Sequence, residues 1–384
     1  MYDVLIVGGG IAGSVAAKFA AKGGLKTLLI EKEKTPRNKT CSGIQFGYFD
    51  KIIGEKIPRE RLCNIQLKRI KMIFPNCKSM KAPFKMFNFM RKPFDDWLNT
   101  VAQENGAEFR DECKYINHEE IEDEIVVSVE IKDGNGAISE KIKTRYLIDA
   151  SGLRPSIRKK LRPQDFSKET IGSTVNYYID ATVDMDPECL YQFWNMEWND
   201  AMFAWVYTKT LDDGKDYWVV GTGCNDGKLK ERQESFYKYI QEKYNMKGEI
   251  VKKEGFATTL SLRGKDMVWL GDEQVLMIGD AAGLIDLARG VGMDAAAQSG
   301  RLVAKAMLNA REKGTKAFDE YQTLMKKIVK QAIKNKAREI GDFKDNDELQ
   351  KHLDKMMLPM GLGMVFHSFL NKFRSPEKKK LLPP

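Results

Sequence analysis

The sequence predicts an α/β chain. It is expected to pair a domain built on a parallel sheet with a second domain on an antiparallel sheet, followed by C-terminal helices. Three observations predict this. A strand–helix–strand pattern surrounds a glycine-rich turn in the first 31 residues. From Ile171 to Thr222 the chain is rich in Tyr, Trp, Val and Thr, as an antiparallel sheet would be. Long helical patterns then run from about Gly292 to Ala310 and from Phe318 to Ile340.

The N-terminal unit is the most informative. Met1 to Val7 is a short apolar run with β-branched residues and reads as a buried strand. It enters Gly8-Gly9-Gly10-Ile11-Ala12-Gly13, a G-x-G-x-x-G turn into a helix from Ile11 to Lys22. Gly8 permits the tight turn, Gly10 lets the backbone approach a pyrophosphate, and Gly13 lets helix and strand pack closely. The helix N-terminus offers free N–H groups and a positive dipole end to phosphates. Gly23-Gly24 stops the helix, Leu25 to Ile30 is the second strand, and Glu31 at its end is placed to accept from a ribose hydroxyl. This is a Rossmann-like dinucleotide-binding unit.

Composition narrows the remainder. A chain of 384 residues implies about two domains. With 42% hydrophobic and 30% charged residues it fits a soluble globular protein. The N-terminus reads as a strand rather than a signal peptide, and no apolar run is long enough to span a bilayer, so a cytoplasmic location is expected. The cysteines (41, 63, 77, 113, 189, 224) form no C-x-x-C, which argues against zinc, iron–sulfur and disulfide frameworks. His118, His352 and His367 have no metal-ligand spacing, so neither a metal site nor a Ser-His-Asp hydrolase is expected. The net charge of +9 suits an acidic partner, a phosphorylated substrate or anionic lipid. Basic residues without interleaved aromatics make nucleic acid the least favoured partner.

Along the chain, residues 64–74 and 83–89 alternate as strands. Pro93, Phe94, Trp97, Leu98, Val101 and Ala102 make an amphipathic helix that Asn105-Gly106 ends. Residues 124–132 and 137–143 read as a hairpin about the turn 133–136, and Tyr146 to Ala150 as a further strand ending in an acid–glycine turn. Gln233 to Tyr244 reads as a helix, and Val275 to Ile278 as a buried strand. The tail, 351–384, is dense in Met, Leu and Phe before Lys378-Lys379-Lys380. It is expected to pack as a helix on the core, the alternative being a lid over a lipid site or a peripheral contact with anionic membrane. The expected boundaries are 1–63 with 91–165 and 262–310 for the dinucleotide domain, 64–90 with 166–261 for the antiparallel-sheet domain, and 311–384 for the C-terminal helices.

The order of three motifs indicates the cofactor. The glycine loop at 8–13 is followed by Asp149-Ala150-Ser151-Gly152, then by Gly279-Asp280-Ala281-Ala282-Gly283, then by a helix entered through Gly290-Val291-Gly292-Met293. FAD is large enough to touch all of them. Asp280 is placed for the ribityl chain, and the helix start at Gly292 for the electron-rich edge of the flavin.

These residues resemble the geranylgeranyl reductase family of FAD-dependent oxidoreductases, in the larger p-hydroxybenzoate-hydroxylase-like class. The resemblance covers roughly residues 1–310. It rests on the glycine loop with Glu31, on the basic loop Arg37 to Gly43, and on Arg91-x-x-Phe94-Asp95-x-x-Leu98 with Ala102 and Gly106-Ala107. The turns at 149–152 and 279–283 match in order and spacing. Phe203-Ala204-Trp205-Val206-Tyr207 resembles the family's Tyr-x-Trp-x-Phe-Pro substrate motif.

The resemblance implies FAD contacts at Gly8, Gly10, Ile11, Ala12, Gly13, Glu31, Lys32, Arg91, Asp149, Gly152, Gly279, Asp280, Gly290, Val291, Gly292 and Met293. Tyr115 is implied near the adenine, Cys41, Ser42 and Gly43 beside the flavin, and Phe203, Trp205 and Tyr207 along an alkene pocket. The alternative for these aromatics is an ordinary sheet core. The sequence departs from the family at Ser42 (a glycine there), at Thr208 (the motif's proline), at Asp286-Leu287 (Asn-Pro) and at Arg289 (a small residue). The last two imply a more polar pocket or an internal ion pair.

The implied reaction is reduction of C=C bonds in a hydrophobic, isoprenoid or prenyl-lipid substrate, with hydride from reduced flavin and a proton to the other carbon. Cys41 is the candidate catalytic residue, as proton donor, redox thiol or steric wall; the alternative is a small buried hydrophobe. No second glycine motif for a nicotinamide is visible. The electron donor is expected to be a transiently bound nicotinamide or an acidic protein such as ferredoxin. Two other readings stay open: a flavin-dependent monooxygenase or halogenase on the same scaffold, and an electron-transfer flavoprotein serving a quinone or protein partner.

Overall fold

The computed structural model describes residues 1–132, 136–166, 172–261, 267–286, 290–336 and 342–373. Strand β1 (Tyr2–Val7), helix α1 (Ile11–Lys22) and β2 (Thr27–Ile30) form the opening unit. β3 (Ile44–Phe46), α2 (Phe49–Ile53), α3 (Arg59–Leu62), β4 (Cys63–Ile73) and β5 (Ser79–Phe89) follow. Next come α4 (Arg91–Glu104), β6 (Glu108–Arg110), β7 (Cys113–Ile121), β8 (Glu124–Lys132), β9 (Ala137–Asp149) and α5 (Arg158–Leu161). The middle of the chain holds β10 (Gly172–Thr182), β11 (Cys189–Phe193), β12 (Ala204–Thr210), β13 (Asp216–Cys224), α6 (Leu229–Lys243) and β14 (Lys247–Thr258). β15 (Gly271–Asp272), β16 (Val275–Met277), α7 (Met293–Lys313), α8 (Ala317–Lys336) and α9 (Asn346–Phe373) close it.

Two sheets organise these elements. The first runs β15-β16-β9-β1-β2-β6, with β8 and β7 extending from β9. Its centre is parallel: β1 pairs with β2 and β9, and β9 with β16. The second runs β14-β10-β13-β12-β11-β4-β5-β3 and is mostly antiparallel, with one parallel pair between β11 and β4. The α/β expectation is therefore met, with helices α7 to α9 at the end of the chain.

Burial explains the layers. β1 and β2 are buried on both faces, as strands of a parallel sheet covered by helices are. Ala12, Ala16 and Ala20 of α1 lie in the same apolar cluster as Leu302, Val303 and Ala306 of α7. Small residues let these helices approach: a Cβ added at Gly300 would stand 2.4 Å from the Ala12 carbonyl oxygen. The second sheet has an apolar cluster on each face. One packs under α6 through Phe236 and Ile240. The other holds Leu67, Met72, Met86, Tyr178, Tyr207 and Val219 and is closed by Leu349 and Leu353 from α9.

Several boundaries differ from the sequence expectation. The segments 137–143 and 146–150 are one strand, β9. Its first part pairs antiparallel with β8, and its last part runs parallel to β1 between Thr144 and Asp149. The strands expected at 64–74 and 83–89 run Cys63–Ile73 and Ser79–Phe89. β7 and β14 went unrecognised. β14 is an edge strand whose Lys and Glu residues blur its alternation, a common guard against edge pairing. The turn residues 133–135, Leu287, Arg289 and Lys378 to Lys380 lie outside the described residues.

The α1–α7 contact gives a direct test. Gly300→Ala forces the Ala12 backbone away and is expected to lower stability by about 1–3 kcal/mol. Urea unfolding monitored by circular dichroism measures it.

Candidate active site

Register places the predicted turns together. Val7 is level with Ile30 and Asp149, and Asp149 with Met277, across four neighbouring strands. Backbone bonds continue the alignment past the strand ends: Gly8 N–H to Ile30 O (2.8 Å), Ala150 N–H to Val7 O (2.8 Å) and Ile278 N–H to Asp149 O (3.0 Å). The turns 8–13, 149–152 and 279–283 thus stand side by side at the carboxyl edge of the sheet, where α/β sheets bind ligands.

The glycines are required by contact. A Cβ at Gly13 would lie 2.0 Å from Gly8 O; one at Gly8, with φ of +115°, would lie 2.6 Å from Ala150 O. Among the described residues a Cβ at Gly10 would meet only Arg37 Nη2, at 3.2 Å, so the cradle is open to them there apart from a cation. Gly10 caps α1 without a side-chain hydrogen bond, with Ile11 and Ala12 buried just behind.

Glu31 is buried and fastens this loop. Its Oε2 accepts from Gly9 N–H (3.0 Å) and Arg37 Nε (2.8 Å), and its Oε1 from Glu33 N–H (3.1 Å). Arg37 Nη1 also reaches Asp95 Oδ2 at 3.4 Å, and Arg91 grips the same carboxylate through Nε (2.7 Å) and Nη2 (2.8 Å). A polar chain therefore ties α4 to the glycine loop. Lys32 is exposed beside Glu33.

Asp149 is buried, and its carboxylate accepts from the N–H groups of Ser151 (3.0 Å), Ile157 (2.8 Å) and Arg158 (3.1 Å). Burial raises its pKa above the usual range against the opposing pull of those donors. It stitches its own turn and thereby shapes the edge beside Gly8. Gly152 (φ +83°) leaves that edge open, with Lys39 Nζ 3.8 Å from its Cβ position. Tyr115 is buried further along β7, its hydroxyl 2.7 Å from His118 Nδ1.

The second half of the site forms where α7 begins. A Cβ at Gly279 would stand 3.0 Å from the Ala12 Cβ, and one at Gly292 would stand 3.1 Å from Asp280 Oδ1. Asp280 therefore lies at the N-terminus of α7, which Gly292 caps without a side-chain bond. Gly290 (φ +62°) packs on Met202, and Val291 bridges back to Asp286. Asp286 is fully buried and accepts from Asn335 Nδ2 of α8, so the departure at this position carries a hydrogen bond to the C-terminal helices.

Met293 opens α7 and meets Cys41: the thiol donates to Met293 Sδ at 3.8 Å. Gly43 (φ +70°) could carry no side chain, because a Cβ would lie 1.8 Å from Phe89 O. Its N–H donates to Cys41 Sγ (3.4 Å), and Ile44 N–H donates to Ser42 Oγ (3.4 Å). Sequence positions 41–43, 280 and 292–293 thus converge.

Trp205 and Tyr207 lie on the face of β12 that joins the α9-covered cluster. Trp205 Nε1 donates to Asn176 Oδ1 (2.7 Å) across Gly221, where a Cβ would lie 2.2 Å from Nε1. The Tyr207 hydroxyl is buried and finds no hydrogen-bond partner among the described residues, while the Tyr178 hydroxyl donates to Glu254 Oε2 (2.7 Å). Phe203 precedes β12 and packs against Trp194, with ring centroids 5.4 Å apart.

Sequence reasoning missed Lys209. Its ammonium is buried and donates to Ser42 O (2.7 Å), Cys41 O (3.2 Å) and Phe89 O (3.4 Å). The signal was present, since 205, 207 and 209 share one alternation. It also missed Arg37 as the link between Glu31 and Asp95.

Comparison with known proteins agrees with this geometry. The family model described as FAD dependent oxidoreductase matches residues 3–153. A digeranylgeranylglycerophospholipid reductase of Methanosphaera stadtmanae is 26% identical over 83% of this chain and 81% of that protein. The crystal structure of a geranylgeranyl bacteriochlorophyll reductase-like protein from Thermoplasma acidophilum superposes with a TM-score of 0.75, at 23% identity, over 92% of this chain and 90% of that one. A triple mutant of the flavin-dependent brominase Bmp2 shares the fold at a TM-score of 0.65 and 17% identity, over 87% of this chain and 90% of that one.

The chain is an FAD-dependent oxidoreductase. Within that class it is similar in sequence to the digeranylgeranylglycerophospholipid reductase and in fold to the geranylgeranyl bacteriochlorophyll reductase-like protein. Its cofactor is FAD, and the residues present fit that group. Two helix N-termini, α1 and α7, lack side-chain caps and flank one edge, suited to a pyrophosphate and to an electron-rich ring edge. The open face of Gly10 carries Arg37, as a phosphate cradle requires.

Two outcomes follow from these contacts. Arg37→Met removes the cation from the Gly10 cradle and unpairs Glu31; FAD affinity is expected to fall about tenfold, or roughly 1.4 kcal/mol, in a fluorescence titration. Burial lowers the Lys209 pKa from its ordinary 10.5 to about 8. Between these values the unfolded chain holds a proton that the folded chain lacks, so this group makes stability rise with pH from about 8 to 10.5. Lys209→Met is expected to flatten that slope in urea titrations repeated across the window.

Proposed function

We propose that the protein reduces C=C bonds of a hydrophobic, isoprenoid-type lipid. The carrying observation is the face of the second sheet that bears Trp205 and Tyr207. It carries the buried apolar cluster of Leu67, Met72 and Met86, with Ile44, Phe46 and Phe84 packed against it and Leu349 and Leu353 of α9 across it. Such a face suits an extended hydrocarbon chain rather than a polar aromatic substrate. The relative named above as a digeranylgeranylglycerophospholipid reductase supports the same substrate class.

Bound FAD supplies hydride-transfer chemistry. The chain's own residues are assigned complementary tasks. Gly8 to Gly13, Glu31, Arg37 and Arg91 hold the dinucleotide. Asp280, Gly292 and Met293 hold the flavin end. Trp205, fixed by Asn176, walls the alkene. Cys41, with its proton directed at Met293 Sδ, is the candidate donor for the second carbon. The net charge of +9 suits an acidic protein such as ferredoxin as electron donor, with a nicotinamide as the alternative.

Among the described residues no helix is long and apolar enough to cross a membrane. Leu362, Phe369 and Phe373 of α9 are nonetheless exposed, which supports peripheral contact with the lipid surface that holds the substrate. The brominase likeness supports a halogenase reading on the same scaffold.

The test is anaerobic. Dithionite-reduced protein is mixed with polyprenyl lipids and followed by flavin absorbance and lipid mass spectrometry. Reoxidation with a gain of two hydrogens per double bond is the expected result, and Trp205→Ala is expected to slow it about tenfold or more by loosening the alkene. A reduced flavin that ignores every prenyl lipid and reacts only with oxygen would favour the halogenase reading.

A further inference from the structure

Lys209 stands out among the buried groups because its surroundings do not neutralise it. A buried cation is ordinarily paired with a carboxylate, as Arg91 is with Asp95. Among the described residues, Lys209 has no carboxylate at ion-pair distance. Its three hydrogen bonds go to the carbonyls of Cys41, Ser42 and Phe89. The charged and titratable groups facing Lys209 are Cys41 on the turn, Arg91 on α4, and Glu254 and Lys252 on β14, and the Cys41 thiol is itself also faced by Arg91 and by Lys39. A methionine would fill this space without the desolvation cost.

Those carbonyls reveal what the charge is for. Cys41 and Ser42 present consecutive carbonyls to one ammonium, which fixes the peptide planes of the turn. Gly43 completes it in a left-handed conformation, and Gly43 O accepts from Phe89 N–H at 2.9 Å. With its carbonyls held toward the second sheet, the turn directs the Cys41 thiol to Met293 and the first turn of α7. Lys209 comes from the sheet that carries Trp205 and Tyr207. One side chain thus links that sheet to the turn beside the flavin end.

We propose that Lys209 is a positioning residue of this site: held by the carbonyls of Cys41, Ser42 and Phe89, its ammonium fixes the 41–43 turn and keeps a positive charge behind the Cys41 thiol. The proposal rests on the FAD-site reading above and extends it to a residue outside the family's motifs. It concerns the reactivity of a thiol, not the identity of a substrate.

The experiment is alkylation of the FAD-loaded protein by iodoacetamide without substrate, with peptide mass spectrometry reporting Cys41 relative to exposed Cys77. Thiolate is the reacting species, so a nearby cation raises the rate. Lys209→Met is expected to lower the Cys41-to-Cys77 ratio about tenfold near neutral pH, and Lys209→Arg to restore most of it. In the wild type the ratio is expected to fall as pH passes about 8, where Lys209 loses its proton. A Lys209→Met ratio equal to or above wild type overturns the proposal. So does a wild-type Cys41 that never labels. If Lys209→Met fails to fold, the wild-type profile decides: a ratio flat across pH 8 overturns it. Because no lipid is present, failure of the prenyl-reductase reading leaves this result unchanged.

Discussion

The site depends on one constraint: the parallel register of β16, β9, β1 and β2. Parallel pairing forces neighbouring strands to end at the same edge, and level residues such as Val7, Ile30, Asp149 and Met277 bring distant turns into line. Turns separated by more than a hundred residues of sequence then share one edge of the sheet. The backbone bonds that leave the strands, such as Ala150 N–H to Val7 O, carry that register into the turns themselves. Everything the chain offers a dinucleotide follows from this alignment.

Close helix approach is the second requirement. Ala12 lies under Gly279 on one side and Gly300 on the other, so α1, α7 and the 279–283 turn nest without intervening side chains. Backbone donors, not side chains, then dominate the edge. Where charge is used it is fixed in place: Asp95 holds Arg91 and Arg37, and Arg37 holds Glu31. The aligned dipoles and anchored cations meet an anionic ligand with little reorganisation.

Much of this was legible in the sequence, and the reasons are local. The Ile11–Lys22 helix and the Gly8-to-Gly13 turn were readable because period and glycine placement agree there. The double role of β9 was not, because a strand that changes partner near Thr144 shows no break in its own pattern. β14 was hidden by edge charges, and β7 by the exposure of its far half. Asp149 and Glu31 were read as cofactor contacts. The structure adds that both hold backbone N–H groups of their own loops, which no spacing rule reveals. Lys209 was passed over because a lysine in a strand reads as surface, and here the 41–43 turn and Phe89 of another strand close over its ammonium.

The two sheets therefore divide the work and meet at a small junction. The parallel sheet sets out backbone groups along an edge, which suits a cofactor with a fixed polar outline. The antiparallel sheet sets out apolar side chains over one face, which suits an apolar chain with little to hydrogen-bond. Trp205 is the exception on that face: it reaches Asn176 only because Gly221 leaves room, so its ring plane is set rather than adaptable. The turn at 41–43 lies between these surfaces, tied to α4's leading strand by Phe89, to α7 by Met293 and to the second sheet by Lys209. A reacting bond has to be placed against both surfaces at once. The chain fixes their separation through buried backbone carbonyls, whose positions vary less than those of any flexible side chain.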